Sequence, residues 1–380
     1  MPIMPSTPNL RYNHGFTLVE LMISITIGLF LILGLSTLLV NSSKNRTELE
    51  KTSRQIENGR YATQLLRDAI THAGYYGEYF CQSDAASPTL CTPSSPPTPL
   101  TALPDPCLTT LASLSYTRGL PLPIQGYDSS SLSTVPTCVG SANYKTGTDI
   151  LIIRRANTNV TPTTSVVDGR IYIQANPLGY VIANRSGGTW SYLGTSVGTD
   201  DLNVTGAATL PLLKKDGATS ADLRNYVVQI YFVSPCSIPA GGGNNCTGAS
   251  DDNGTPIPTL KMIELTTDHG LPVMSEPVPL VEGIDNLQLD FGIDSDADGG
   301  PNSFSTCSTS TPCSLTDWSN VVTIRVNLLA RNTEKTVGYT DAKQYDLGLA
   351  GLTTAANDTY KRHAYSILVR AINPSGRREN

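Results

Sequence analysis

Phe16 to Val40 reads FTLVELMISITIGLFLILGLSTLLV, and its only charge is Glu20. As a helix rising ~1.5 Å per residue it would span roughly 37 Å, enough to cross a bilayer. No other stretch of the 380-residue chain approaches it, so the sequence predicts one membrane span. A secretory signal competes for the same run. Such a signal needs a short apolar core followed by a small-residue cleavage site. No A-x-A pattern follows Val40, no Cys stands as a lipid-attachment site, and the run is longer than a usual signal core. Hydropathy alone leaves a plain single-pass anchor open.

The chain as a whole is weakly charged and loop-rich, with 15% charged residues, 32 Gly, 26 Pro and a net charge of −6. Its length exceeds one small core and predicts more than one structural unit. An acidic balance argues against a basic nucleic-acid surface. The low charge is also unlike the signature of disorder. His14, His72, His269 and His363 are too scattered to suggest a metal centre. All eight cysteines lie at or beyond Cys81, past the apolar run. That placement predicts disulfides in an oxidising compartment. No C-x-x-C pair supports zinc.

The junction His14-Gly15-Phe16-Thr17-Leu18-Val19-Glu20 resembles the type IV prepilin processing site. The resemblance implies cleavage between Gly15 and Phe16 by a membrane-embedded prepilin peptidase. It implies N-methylation of Phe16, with residues 1–15 as the leader. It also implies an assembly role for Glu20, paired in the fibre with the N-terminal amine of a neighbouring subunit. A carboxylate in an apolar helix is costly, and such pairing offsets its desolvation. Snorkelling of Glu20 to the membrane edge is the alternative. One observation opposes a periplasmic head. Only Arg11 lies on the leader side, against Lys44, Arg46, Lys51 and Arg54 beyond the span. The processing junction and the cysteines outweigh it, because large domains translocate despite charge bias.

Residues 41–77 contain no proline and are rich in helix formers. Leu49, Ile56, Leu66, Ile70 and Ala73 fall on one helical stripe. The sequence therefore predicts one long helix whose second half is amphipathic and packs on a sheet. Glu57-Asn58-Gly59-Arg60-Tyr61-Ala62, and Ala73-Gly74-Tyr75-Tyr76-Gly77 after it, resemble the end of the first helix in PilW-type minor pilins. Gly74 and Gly77 are expected to end the helix.

Residues 78–147 are Pro-, Ser-, Thr- and Cys-rich and read as a surface excursion. Residues 148–380 carry the strand signals. They include 149–155, 170–175, 226–233, 260–266, 284–291, 321–330 and 363–372. Alternation in IDNLQLDF and VVTIRVNL predicts half-buried antiparallel strands with one solvated face. The Gly/Asn/Pro-rich tract 239–258 reads as the most flexible. Eight cysteines allow about 105 connectivities. Proximity alone favours Cys81–Cys91, Cys107–Cys138, Cys236–Cys246 and Cys307–Cys313.

Val281-Glu282-Gly283-Ile284-Asp285-Asn286, Trp318-Ser319-Asn320-Val321 and Arg362-His363-Ala364-Tyr365-Ser366 extend the PilW resemblance. It implies an α+β, type IV pilin-like fold. A long N-terminal helix, with a transmembrane half at 16–40 and an amphipathic half at 41–77, packs on an antiparallel strand-rich head with stapled loops. It implies a minor pilin of the inner membrane and pilus tip complex that helps initiate assembly and supports motility or adhesion. The implied partners are other minor pilins, the major pilin, a PilY-type tip protein and the prepilin peptidase. The head would be periplasmic, and no nucleic acid is expected directly. A minor pseudopilin of type II secretion and a calcium-dependent tip adhesin are the alternatives.

Asp294, Asp296 and Asp298, followed by Gly299, resemble the first half of a calcium loop. The pattern then departs from an EF-hand, with Ser305 at the bidentate Glu position. A solvated Asp-rich turn explains the run equally well. Catalysis is not expected: the scattered His residues read as surface or core residues rather than acid–base groups. The Walker-like glycine spacing at 243–248 has Ala249 in place of Lys.

Overall fold

The computed structural model describes residues 15, 17–79, 103–114, 122–129, 135–177, 179–196 and 199–379. The leader up to His14, Phe16, and the expected Cys81–Cys91 pair lie outside these residues. The chain divides into two compact units, one up to Thr52 and one from Ser53 onward.

In the first unit the described residues form the start of helix α1, Leu18–Thr71. Its apolar side chains from Leu18 to Val40 are exposed, as a lipid-facing or bundle-facing surface requires. It is the one helix among the described residues long and apolar enough to cross a membrane.

Among the described residues the second unit holds the end of α1, three short α-helices, four 3-10 turns and fourteen strands. The helices are α2 (Leu111–Leu114), α3 (Leu315–Ser319) and α4 (Ile372–Gly376). The strands are β1 (Ile124–Tyr127), β2 (Ile150–Ala156), β3 (Ile171–Asn176), β4 (Gly179–Ser186), β5 (Thr189–Ser196), β6 (Thr199–Ala207) and β7 (Leu223–Ser234). They continue with β8 (Thr259–Asp268), β9 (Leu271–Met274), β10 (Val278–Glu282), β11 (Ile284–Ile293), β12 (Ser303–Ser305), β13 (Val321–Arg331) and β14 (Arg362–Arg370).

A ten-stranded antiparallel sheet runs β1-β2-β7-β3-β4-β5-β6, with β8 also on β7 and β9 and β10 on β8. A second sheet runs β12-β11-β13-β14. One core lies between α1, the four-stranded sheet and one face of the larger sheet. It contains Leu66, Ile70, Leu151, Ile153, Tyr231, Leu289, Phe291, Ile324 and Val326. The opposite face of the larger sheet buries Ile150, Ile152, Val228, Ile230 and Phe232 in a second core. Alternate residues of β2 and β7 thus enter different cores, which is why DILIIRR and YVVQIYFV are nearly continuous apolar runs. A third core around Tyr172, Trp190 and Tyr192 lies beneath the β3–β6 strands.

Four expectations are corrected. The stripe on α1 differs from the one anticipated: Gln55, Gly59, Ala62, Leu66, Ala69 and Ile70 are buried, whereas Leu49 and Ile56 are exposed. Small residues let the helix approach the sheet closely, and the Gln55 amide is satisfied by the carbonyls of Ala330 and Lys361. The proline-rich excursion is not wholly superficial, because Leu114, Val139 and Tyr144 close the second core. The outer face of β11 is not solvated either. Gln288 and Asp290 on it are buried, and Leu349 from the loop after β13 donates its amide to the Asp290 carboxylate.

The 239–258 tract has a built interior instead of a flexible one. Asp251 is buried and accepts hydrogen bonds from the amides of Ala240, Thr247 and Gly248 and from the Thr247 hydroxyl. Asp252 accepts from the amides of Ser237, Ile238 and Ile257. Carboxylates accepting several N–H bonds organise a loop without any apolar core of its own.

Candidate functional site

At the head of α1, Thr17 and Glu20 form a capping box. The Glu20 amide donates to Thr17 Oγ1 at 3.2 Å, and the Thr17 amide and hydroxyl donate to Glu20 Oε2 at 3.0 and 2.9 Å. Three residues separate cap and carboxylate, the spacing at which each satisfies the other's end of the helix. Glu20 thereby has a local partner in the single chain, and among the described residues the hydrogen bonds to its carboxylate fall on Oε2. Gly15 lies immediately outside this cap; Phe16, its partner in the expected cleavage, is outside the described residues.

In the second unit the segments that carried the PilW resemblance meet in space. Asn58 Nδ2 donates to the Glu282 carbonyl at 3.0 Å. Gly59 lies under the ring of Tyr365. After α1 the chain turns at Gly74, whose φ of 69° suits glycine. Asn373 Nδ2 and Arg377 then cap the freed carbonyls of Ala73 and Gly74. The guanidinium of Arg377 also stacks over Tyr76, 5.6 Å from its centroid. The C-terminal residues thus close the helix end, a relation that no local signal in either segment carries.

The three expected calcium ligands come together, with ligand oxygens of Asp294, Asp296 and Asp298 within 4.8 Å of one another. They are not equivalent. Asp294 is fully buried, whereas Asp296 and Asp298 are not. Its Oδ1 accepts from the Ala297 amide, and its Oδ2 accepts from the Gly299 amide and from Arg378 Nε at 2.9 Å. Burial raises the Asp294 carboxyl, but the Gly299 amide, Arg378 and the Ala297 amide outweigh it and hold the group below the usual range. The guanidinium of Arg378 already supplies the positive charge that a cation would bring.

A buried charge cluster was not anticipated. Arg362 Nε bonds Asp285 at 2.7 Å, while its two terminal nitrogens reach Asp341 at 3.1 Å and Asp358 at 2.6 Å. Lys145 pairs with the other oxygen of Asp285. Tyr339 and Tyr345 donate to Asp341. A cavity of about 150 Å³ adjoins it, lined by Lys145, Asp285, Arg362, Tyr345, Thr353 and Thr354 among others. Burial lowers the Lys145 amine, partly offset by Asp285. Burial also raises Asp285, yet Lys145 and Arg362 overcome this and bring it down to about 2. The cluster ties β11, β14 and the loop between β13 and β14 to the segment before β2. The only sequence hint is an Asp inside the apolar run VEGIDNLQL; its partners lie far away in the chain.

Beside it, Asp149 joins the two sheets. Its amide donates to the Leu287 carbonyl at 2.9 Å, and its carboxylate accepts from Leu289 N at 2.8 Å and Ser129 N at 3.0 Å. Burial, with Asp128 and Asp290 adding to it and the two amides opposing, pushes its pKa up to about 8. Disulfides join Cys107 to Cys138, Cys236 to Cys246 and Cys307 to Cys313.

Residues 247–373 match the family model described as Type IV Pilus-assembly protein W. That stretch contains β8 to β14, and so the whole four-stranded sheet and the α1-facing strand β14. Residues 10–36 match the prokaryotic N-terminal methylation motif. A type IV-like pilin from Thermus thermophilus is similar over 55% of this chain and 86% of its own, at 12% identity and a TM-score of 0.20. No curated protein matches the chain.

Proposed function

We propose that this chain is a PilW-like minor pilin that is processed at Gly15–Phe16, enters the type IV pilus through α1 and helps initiate fibre assembly as part of the tip complex. The carrying observation is the pair of family matches on one chain. The methylation motif covers the apolar start of α1, and the pilus-assembly match covers the sheet on which the end of α1 packs. These matches support a type IV pilus subunit; tip placement, motility and adhesion are the finer part of this reading.

The chemistry of the helix start is consistent with it. Processing would expose the Phe16 amine one residue before Thr17, and among the described residues the Glu20 cap bonds fall on Oε2, leaving Oε1 for a further donor. In an apolar bundle, a neighbouring subunit's ammonium would offset the desolvation of that carboxylate. The head would lie in the periplasm, where disulfides such as Cys107–Cys138, Cys236–Cys246 and Cys307–Cys313 persist. Other pilins and a PilY-type tip protein are the proposed partners.

Deleting the gene, with piliation, secretion and attachment scored together, tests the reading. Lost piliation and twitching with normal secretion is expected. Lost secretion with normal pili would overturn it in favour of a type II pseudopilin. Normal piliation with lost attachment would favour an adhesin. Mass spectrometry of the mature chain should find N-methylated Phe16 at its start. Glu20→Ala should keep the protein in the membrane and out of sheared fibres.

A further inference from the structure

We propose that the cavity beside the Arg362 cluster binds a free short-chain monocarboxylate, between acetate and butyrate in size. The inference goes beyond the pilus-subunit reading and does not depend on it.

The cavity, of about 150 Å³, lies where the start of β11, the Arg362 end of β14 and the loop between β13 and β14 meet the segment before β2. In proteins a cavity of ~150 Å³ admits a benzene-sized ligand, so a group of about three to six non-hydrogen atoms fits. Thr354 and Ala356 on its wall are exposed, which sets its mouth on the solvent side of that loop.

Hydrogen-bond accounting identifies the chemistry the wall would take. The carboxylate acceptors are spent. Asp285 gives one oxygen to Lys145 and the other to Arg362. Asp358 gives one oxygen to each terminal nitrogen of Arg362. Asp341 accepts from Tyr339, Tyr345 and Arg362. The donors are not spent. Lys145 directs two of its three N–H groups at Asp285, one to the main-chain carbonyl and one to the carboxylate. Asn286 accepts from Gln288 on its Oδ1, and its NH2 is the unused end. Thr353 Oγ1 accepts from the Tyr345 amide and keeps its own proton to donate. Among the described residues no acceptor takes the third Lys145 hydrogen, the Asn286 NH2 or the Thr353 and Thr354 hydroxyl protons. Such a wall fits a ligand that accepts hydrogen bonds and has none to give.

Charge narrows the class further. Lys145, Arg362 and Asp285 line the cavity, and Asp341 and Asp358 are not among its lining residues. Two cations against one carboxylate leave the wall one positive charge in excess. A monoanion neutralises it, whereas a phosphate dianion overshoots and a neutral amide leaves it uncompensated. A hydrogen bond from the Lys145 ammonium to a carboxylate is also roughly twice as strong as one between neutral groups. Leu329 and Ala356 supply apolar surface for a short alkyl chain. Apolar wall with a few convergent polar groups is the usual make-up of a small-molecule site.

Thermal melts of the full chain in detergent, at fixed pH and ionic strength, test this. The probes are sodium acetate, propionate, butyrate and hexanoate, with chloride, phosphate and acetamide as comparisons. A ligand that binds the folded chain raises the melting temperature with its concentration. The three shorter carboxylates should do so at millimolar concentration, with affinity rising up to about 4-fold per methylene. Hexanoate should bind more weakly than butyrate because it outgrows the cavity. Thr354→Val keeps the side-chain shape, removes the hydroxyl and should weaken binding about 10-fold. Lys145→Met should abolish binding; if it fails to fold, Thr354→Val and the chain-length series still decide. An equal rise with chloride or acetamide would overturn the proposal. So would a response to phosphate alone, no response to any carboxylate, affinity that keeps climbing through hexanoate, or binding that Thr354→Val leaves unchanged.

Discussion

The ring of Tyr365 rests against Gly59, so closely that a Cβ at Gly59 would lie 2.2 Å from Tyr365 Cε2. The Tyr365 hydroxyl meanwhile reaches the Ile56 carbonyl at 3.5 Å. Glycine costs a helix about 1 kcal/mol relative to alanine. Here it is the residue that lets α1 pass beneath β14. Gly59→Ala should therefore destabilise the protein by about 1–3 kcal/mol despite the better helix former, as overpacking does. Chemical denaturation checks the sign. Adding Tyr365→Ala should recover part of the loss.

Asp149 should make stability depend on pH. Its folded pKa of about 8 lies above the ordinary 3.8. A carboxyl raised on folding favours the protonated folded state. Its contribution is complete below the unfolded value and is lost as pH rises through the folded one. The melting temperature of the native chain should fall between about pH 4 and pH 8 more steeply than that of Asp149→Asn. Equal slopes would show that Asp149 is ionised throughout.

Arg378 should control what calcium does at the 294–299 loop. In the native chain a cation must displace a buried guanidinium from Asp294, so millimolar calcium should leave the melting temperature unchanged. Arg378→Met removes that competitor and should cost about 3–5 kcal/mol, because it leaves a buried carboxylate without its counter-charge. Calcium should then restore part of the loss by binding the three aspartates. Thermal melts with and without chelator read both effects.

Arg362 should be intolerant of lysine. One planar guanidinium reaches Asp285, Asp341 and Asp358 together, and an ammonium on a flexible stem cannot. Arg362→Lys should lose about 2 kcal/mol or more, and Arg362→Met more still. Urea denaturation of both variants would rank them.

Much of the architecture was legible locally. The apolar run, the glycine turn after α1 and the expected strand runs map onto α1, β2, β3, β7, β8, β11, β13 and β14. Strands β4, β5 and β6 gave weaker signals, because Gly, Ser, Thr and Asn dilute their apolar pattern. The covered face of β11 was misread for a different reason: a period of two reports which residues share a face, not whether a distant loop lies on it.

What the sequence by itself determined is the part governed by neighbours in the chain: a helix apolar enough for a membrane, a Thr17–Glu20 cap three residues apart, and the strands of an α+β head. Only the tertiary structure decided what those pieces meet. It placed Gly59 under Tyr365, gave Asp294 a buried partner in Arg378, and gathered Lys145, Asp285, Asp341, Asp358 and Arg362 into one buried cluster. Such pairings depend on shape and charge brought together across hundreds of residues, and periodicity within a segment carries no record of its partner.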